Sequence, residues 1–416
     1  MPEKINRTKS LTALFVAVCL FQAFLQFAGS AFIISSQRQE ANAADTFTSS
    51  TAGRGDGDIN SSFQASTPEE TKTAADPDAL DCKSYLQDYR IGKIKEMERS
   101  PGWEKSFVTR TITPKPFYWS THKPDLDVTR ASSYEKGKYY EWNLSARIQE
   151  VFDAKSGDGN GNDKKESIFL DVGGNIGWFS LLAAAHGATK VYTFEPNPAN
   201  LVRFCESLSL NDWLRDDRGK DTVIPIAKGV GSEITTLKLW RADEENPGSF
   251  TFSKQNAVNA FHKGDNRGEN PHRYTPQEAK EYLDKEGVVG EIDIITLDSF
   301  AKNRGWFESK PSIGFFKLDV EGYEPQIIRG AKELFKSRIV EFFAMEMKPE
   351  MASKDKYEIV DVIFNSGYEL VKHGAWAGPK RIVKKKYASH LDLSADLWAN
   401  KYKENLLFRR RDDWKE

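Results

Sequence analysis

The chain has 416 residues, 39% of them hydrophobic and 29% charged, and carries a formal net charge of −2. That balance belongs to a folded chain, and it excludes the basic footprint that would make nucleic acid the main partner. The length admits two or three domains, or one enlarged α/β enzyme domain with appendages.

Residues 1–10 read as a cytosolic tail, because Lys4, Arg7 and Lys9 stand against the single acid Glu3 ahead of an apolar run. From Leu11 to Ile34 there is no charged side chain, and the run is long enough to span a bilayer. It reads as an uncleaved, single-pass signal anchor that leaves the rest of the chain in the lumen of the endoplasmic reticulum or Golgi. The alternative is a cleaved signal peptide and a secreted product, since Gly29-Ser30-Ala31 and Ala41-Asn42-Ala43 offer small residues at cleavage-like spacing. Residues 35–80 are rich in Ala, Ser, Thr, Gly and Asp and read as a disordered stalk, in which the Arg54-Gly55-Asp56 triplet is assigned no role. Asn60-Ser61-Ser62 and Asn143-Leu144-Ser145 are glycosylation acceptor patterns.

Of the three cysteines, Cys19 lies in the apolar run, which leaves Cys82 and Cys205 as the sole possible pair. Cys205 falls on a helical apolar stripe with Leu201, Phe204 and Leu208, so a buried free thiol is the expectation there.

Residues 81–166 mix a charged helical piece, the aromatic segment Pro116-Phe117-Tyr118-Trp119 and a packing helix marked by Trp142, Ile148 and Phe152. They read as an N-terminal cap, closed by a polar loop from Ser156 to Lys165. From residue 167 to 416 short apolar runs alternate with helical ones, as in parallel strands joined by crossover helices. Strands are expected at Ile168–Val172, Val191–Phe194, Val223–Ala227, Phe315–Val320 and Ile339–Met347, with Tyr368–Val371 and Leu406–Arg409 as an antiparallel pair at the edge. The fold class is therefore α/β, Rossmann-like, with a mainly parallel central sheet. A polar insertion over 241–290, with a short helix at Pro276 to Lys285, reads either as a lid or binding loop or as a surface excursion.

Asp171 closes the first buried run. Gly173 and Gly174 let the backbone bend and approach a ligand, and Gly177 lets the next helix sit tightly on the sheet. Glu195 ends the second strand, followed by Asn197 as a helix cap with Pro198 at the first helical position. An acid at that strand end accepts hydrogen bonds from both hydroxyls of a ribose, which points to a nucleoside with little or no phosphate. The dinucleotide fingerprint G-x-G-x-x-G fails at Asn175 and Trp178, and a carboxylate at 171 suits a cationic methionyl group better than a pyrophosphate. S-adenosylmethionine is the expected cofactor.

Five motifs in order then resemble the FkbM family of S-adenosylmethionine-dependent methyltransferases. They are Asp171-Val172-Gly173-Gly174-Asn175-Ile176-Gly177, Phe194-Glu195-Pro196-Asn197-Pro198, Thr296-Leu297-Asp298-Ser299-Phe300, Lys317-Leu318-Asp319-Val320-Glu321-Gly322-Tyr323-Glu324, and Glu346 on the next strand. The resemblance covers about Tyr139 to Arg409 and implies a class I methyltransferase fold. It implies that Asp171, Gly173, Asn175 and Gly177 form the methionyl-binding turn, that Glu195 binds ribose, and that Asn197 or Asn200 supports the adenosine. Alanine is more common in the family where this chain has Gly174, a change a turn should tolerate, and the insertion is long for the family.

Methylation of a hydroxyl needs positioning and a base that removes its proton. Asp319 and Glu321, at the carboxyl end of a central strand and on one face of its alternation, and Glu346 are the catalytic candidates. No His or Cys cluster accompanies them, so no metal is expected. His186, at a helix end, reads as structural, and Lys380, Arg381, Lys384, Lys385 and Lys386 as a solvated basic face that would also attract an anionic acceptor. The sequence thus points to methyl transfer onto a hydroxyl of a glycan or other small acceptor in the secretory lumen. The alternatives are a noncatalytic, membrane-anchored binding domain and a nicotinamide-dependent oxidoreductase on a related sheet.

Overall fold

The computed structural model describes residues 76–91, 93, 106–122, 140–157, 166–214, 222–242, 250–263, 274–347, 351–372 and 405–413, all within one compact unit, Glu70–Glu416. The expected tail, the signal anchor at 11–34, residues 35–75 of the stalk and the basic run at 380–386 lie outside them. Among the described residues no helix is long and apolar enough to cross a membrane.

The cap region supplies α1 (Cys82–Arg90), the antiparallel pair β1 (Phe107–Arg110) and β2 (Tyr118–Thr121), and α2 (Trp142–Gly157). Next come β3 (Ser167–Val172), α3 (Trp178–Ala185), β4 (Lys190–Phe194), α4 (Pro198–Leu210) and β5 (Val223–Ile226). β6 (Gly229–Val230), β7 (Thr235–Arg241) and β8 (Phe250–Thr251) lead into α5 (Lys254–Lys263), α6 (Pro276–Glu286) and β9 (Val288–Ile295). The chain continues with α7 (Leu297–Asn303), α8 (Trp306–Ser309), β10 (Ser312–Leu318), α9 (Glu324–Arg329), α10 (Lys332–Lys336), β11 (Val340–Glu346), α11 (Ser353–Asn365), β12 (Tyr368–Lys372) and β13 (Asn405–Arg410).

Every residue of β3 is buried, as a strand covered on both faces requires, and its Ser-Ile-Phe-Leu-Asp-Val run shows no alternation for that reason. The main sheet has the order β12-β13-β11-β10-β3-β4-β5. β13 runs antiparallel to both neighbours, and the other pairings are parallel, so the expected edge pair is present. The chain winds outward from β3 to β5 and later returns to place β10 on the other side of β3. Loops leaving β3 and β10 therefore diverge, and a crevice opens at their carboxyl ends.

The insertion is folded where it is described. β6, β9, β7 and β8 form a second, four-stranded sheet, and α5 and α6 share a small core of Ala257, Val258, Phe261, Ala279 and Leu283. Thr275 and Glu278 close a capping box at the start of α6, so the sequence stops and starts that helix close to the expected Pro276 to Lys285.

Among the contacts that fasten the cap to the helices on the sheet, two stand out. The first corrects the expectation of a free thiol, because Cys205 is bonded to Cys82 with their Cα atoms 5.2 Å apart. The stripe on α4 does bury Cys205, but α1, capped by Asp81, is what covers it and brings Cys82 into reach. The second is Trp119, fully buried edge-on against Trp178 at 4.8 Å, whose indole N–H donates to the carbonyl of Ile176 at 3.3 Å. Residues 76–80, grouped with the stalk by composition, are also tied down. Arg304 pairs with Asp76 and Asp78, Lys228 pairs with Asp78 at 2.6 Å, and the amide of Leu80 donates to the carbonyl of Pro225. Asn143-Leu144-Ser145 lies in the first turn of α2, with the Ser145 hydroxyl buried between the carbonyl of Tyr140 and the indole N–H of Trp178.

Candidate active site

At the carboxyl end of β3 the backbone turns so sharply that only glycine fits. Gly173 has φ +84°, and a Cβ there would sit 1.7 Å from the carbonyl oxygen of Asp319. The amides of Gly173 and Gly174 both donate to the carbonyl of Phe194 at 3.0 Å, which holds the turn against β4. At Gly174 a Cβ would meet Thr193 Cγ2 at 2.1 Å. The expectation that alanine is tolerated at 174 therefore fails on the buried methyl of Thr193. Gly177, with φ +87°, opens α3, and a Cβ there would strike the ring of Phe204 at 2.1 Å, so its part is the close packing of α3 on α4.

Asn175 adopts φ +50° and sends its backbone N–H to Glu195 Oε2 at 2.7 Å. Glu195 Oε1 accepts from the amide of Asn197 at 2.8 Å and from Asn200 Nδ2 at 3.3 Å. Burial pushes the Glu195 carboxyl up to about 7, although these donors and the charge of Lys317 oppose the shift. Behind it, Asn200 Oδ1 is 3.1 Å from Nε2 of His122 at the end of β2, and burial pulls that imidazole down to about 4, so it is neutral. Asn197 itself caps α4 by accepting from the amide of Ala199.

Asp171 is fully buried and accepts from Ser180 Oγ at 2.7 Å. Its second oxygen lies 3.3 Å from Lys317 Nζ, whose ammonium also donates to the carbonyl of Gly173 at 2.8 Å and lies 3.8 Å from Asp319. Burial works against the charge on Lys317, but the carboxylates of Asp171, Asp319 and Glu141 hold its pKa above the ordinary value. The negative charge of Asp171 is thus matched inside the protein. The carboxylate offered to a ligand at this end is Asp319, whose side chain is 29% exposed.

Glu321 and Gly322 follow in consecutive left-handed conformations, φ +56° and +92°. Glu324 fixes that turn by accepting from the amides of Val320 and Gly322 at 3.3 and 3.2 Å. A left-handed glutamate is uncommon, and here it sits at the cleft.

The resulting open cleft has an empty volume of about 870 Å³ out to its mouth. It brings together Gly173, Gly174, Asn175, Glu195, Asp319 and Glu321 of the residues expected from sequence. Asp171, Gly177, Asn197 and Glu346 do not line it. The first three support the turn or α4 from behind, and Glu346 is half-buried at the end of β11. His186, as expected for a structural histidine, is buried against Asp153 at 2.9 Å.

Tyr140, Lys228, Phe252, Lys317 and Tyr323 also line the cleft and went unassigned at the level of sequence. For Lys317 a signal exists, since it precedes Asp319 by two positions and shares its strand face. For Tyr140 and Phe252 none does, because their places depend on how the cap and the insertion fold back.

No curated protein matches the chain at a significant level. Among solved structures it is similar to a methyltransferase FkbM from Methylobacillus flagellatus KT, at 14% identity and TM-score 0.32, covering 64% of this chain and 50% of that one. It is also similar to a candidate S-adenosylmethionine-dependent methyltransferase from Streptococcus mutans, at 7% identity and TM-score 0.33, covering 74% of this chain and 55% of that one. The chain spans about half the length of each. The family model for the Methyltransferase FkbM domain matches residues 171–370, from the acid of the glycine turn to the edge strand β12. Residues 171–370 of this chain are a methyltransferase FkbM domain.

Proposed function

We propose that this chain transfers a methyl group from S-adenosylmethionine to a hydroxyl of a glycan or other small acceptor, in the lumen of the secretory pathway, held there by residues 11–34. The observation that carries the reading is the pairing of a side-chain-free turn at Gly173 with a buried acid, Glu195, fixed by three N–H donors at the mouth of the same crevice.

The residues fit the cofactor. A Cβ at Gly173 would fill the turn, Glu195 is positioned to accept from ribose hydroxyls, and Asp319 offers a carboxylate for a methionyl ammonium beside it. When bound, S-adenosylmethionine supplies an electrophilic methyl group on a sulfonium centre. The chain's own part is to hold the acceptor hydroxyl in line and to take its proton; with Asp319 holding the methionyl ammonium, Glu321 is the cleft carboxylate assigned that step, and Glu346 does not line the cleft. Binding of S-adenosylmethionine by the full chain in detergent, measured by calorimetry, tests this. Glu195→Ala should weaken it at least about tenfold, two hydroxyl contacts to a charged acceptor being worth about 1.5–3 kcal/mol each. Absence of binding, or a variant that binds like the parent, defeats the reading.

The lumenal placement rests on the charge bias around residues 11–34 and gains support from the Cys82–Cys205 bond, since disulfides persist in oxidising compartments and are rare in the cytosol. Protease added to sealed membranes should leave residues 70–416 intact. Their digestion without detergent would reverse the orientation.

A further inference from the structure

Glu195 is held by three donors, and two of them, the amides of Asn175 and Asn197, are backbone groups whose direction the turn and α4 dictate. The third, Asn200 Nδ2 at 3.3 Å, belongs to a side-chain amide. Its last torsion is broad and roughly two-fold, so the amide can present either its nitrogen or its oxygen, and only the nitrogen suits a carboxylate. What fixes its sense lies at the other end. Asn200 Oδ1 is 3.1 Å from Nε2 of His122, and the two residues are only 1% and 2% exposed, so bulk water does not settle the choice. A neutral imidazole carries one proton, and the oxygen that Nε2 faces makes it the nitrogen that bears that proton.

His122 is brought there by the register of β2 on α4. The amide of Tyr118 donates to Asn211 Oδ1 at 2.8 Å and that of Ser120 to Ser207 Oγ at 2.9 Å, so alternate residues of the strand meet successive turns of the helix. Ser120 Oγ adds a 2.6 Å bond to Glu206, which also pairs with Arg203 at 2.7 Å. Two residues beyond Ser120, His122 continues the series and reaches the first turn of α4, where Asn200 stands. We propose that His122 is a positioning residue of the cofactor site: its Nε2–H fixes the sense of the Asn200 amide and, through it, the carboxylate of Glu195 that receives the ribose. The cap thereby contributes to a site that the matched residues 171–370 do not complete by themselves. This role rests on the binding of S-adenosylmethionine proposed above. Among the described residues the charges that act on the pair are Lys317 of β10, on Glu195, and Arg203 of α4, on His122, and substitution at 122 leaves both in the chain.

The test uses the full chain in detergent and reads S-adenosylmethionine affinity by calorimetry as a function of pH. His122→Leu should weaken binding near neutral pH about fivefold or more. Because a lost donor raises the carboxyl's pKa, the same variant should move the levelling of affinity about half a unit or more to higher pH. His122→Gln, whose Nε2 can donate from nearly the same place, should stay within about twofold of the parent at every pH. In Asn200→Ala, which has no amide to orient, adding His122→Leu should change affinity by less than about twofold. Nitrogen NMR of the histidine rings, with His122 assigned by the signal missing from His122→Gln, should show a neutral ring protonated at Nε2 in the parent, a readout that needs no destabilised variant. A parent-like affinity and pH profile in His122→Leu, an equal loss in the Asn200→Ala background, failure of His122→Gln to restore binding, or a ring protonated at Nδ1 overturns the positioning role while cofactor binding stands. A parent chain that does not bind S-adenosylmethionine overturns the cofactor reading itself, and the role of His122 with it.

Discussion

The backbone amide of Asn175 donates to Glu195 Oε2 at 2.7 Å, so the turn after β3 and the acid after β4 hold one another in place. Burial lifts the Glu195 carboxyl from an ordinary 4.5 to about 7 in spite of its donors. Its contribution to folding is therefore fully present below about 4.5 and is lost as pH climbs through about 7. Ribose hydroxyls donate to the ionised form, so binding should pull the group the other way. S-adenosylmethionine affinity should rise with pH and level off above about 7, with a slope approaching tenfold per unit on the acid side. Calorimetry in buffers of differing ionisation enthalpy should register net proton release near about pH 6. In Glu195→Gln both the slope and the release should vanish, and a slope that survives assigns the titration elsewhere.

The two glycines of the turn should respond differently to alanine. At Gly173 the obstacle is the backbone carbonyl of Asp319, whose own amide donates to the carbonyl of Val172 while the next amide, that of Val320, donates to Glu324, so nothing can yield. Gly173→Ala should cost about 3 kcal/mol or more and abolish cofactor binding. At Gly174 the obstacle is one methyl group, Thr193 Cγ2. Thr193→Ser deletes it and retains the hydroxyl that contacts Ser180 Oγ at 2.7 Å. Gly174→Ala alone should lose about 2 kcal/mol, and the pair should recover about half of that in denaturant unfolding. Strictly additive losses would show that the methyl is not the obstacle.

The difference between those glycines marks what sequence can carry. The positions of the main strands, the glycine turn and the acid at 195 were legible because each is local, in a buried run, a φ that only glycine takes freely, or an acid at a strand end. Asp171 was misread as ligand-facing because its neutralising partner, Lys317, comes from a strand far along the chain. Periodicity placed Cys205 on a buried stripe but says nothing of which element covers it. Phe252 follows a strand of two residues, too short to have a period, and its place in the cleft depends on the pairing of β8 with β7.

Lys317 is the hinge of the buried charges. It touches Asp171, Asp319 and the carbonyl of Gly173, and Asp171 is wholly excluded from solvent. Lys317→Met leaves a buried carboxylate without its cation and should cost about 3–5 kcal/mol. Adding Asp171→Asn should recover much of that, because the amide keeps a bond to Ser180 without the charge. Urea unfolding of the two single variants and the double variant measures the coupling. A double variant no more stable than Lys317→Met would mean that Asp171 does not need the ammonium.

The bond between Cys82 and Cys205 closes a loop of 123 residues and joins α1 to the helix that carries Asn200, the side chain that holds Glu195. Opening it should lower stability by about 2–4 kcal/mol, chiefly by freeing the unfolded chain. Cys82→Ser, Cys205→Ser and the double variant should therefore lose similar amounts, since either change breaks the same link. Thiol alkylation gives an independent count on protein from membranes quenched in acid, which stops disulfide exchange and leaves every thiol open to the label. Denatured without reductant, the chain should take one label, at Cys19, and after reduction three. Three labels before reduction would mean that the two cysteines are near neighbours but not bonded where the protein lives. Support for an oxidising lumen from this pair would then be withdrawn, and the placement would rest on the charge bias around residues 11–34 alone.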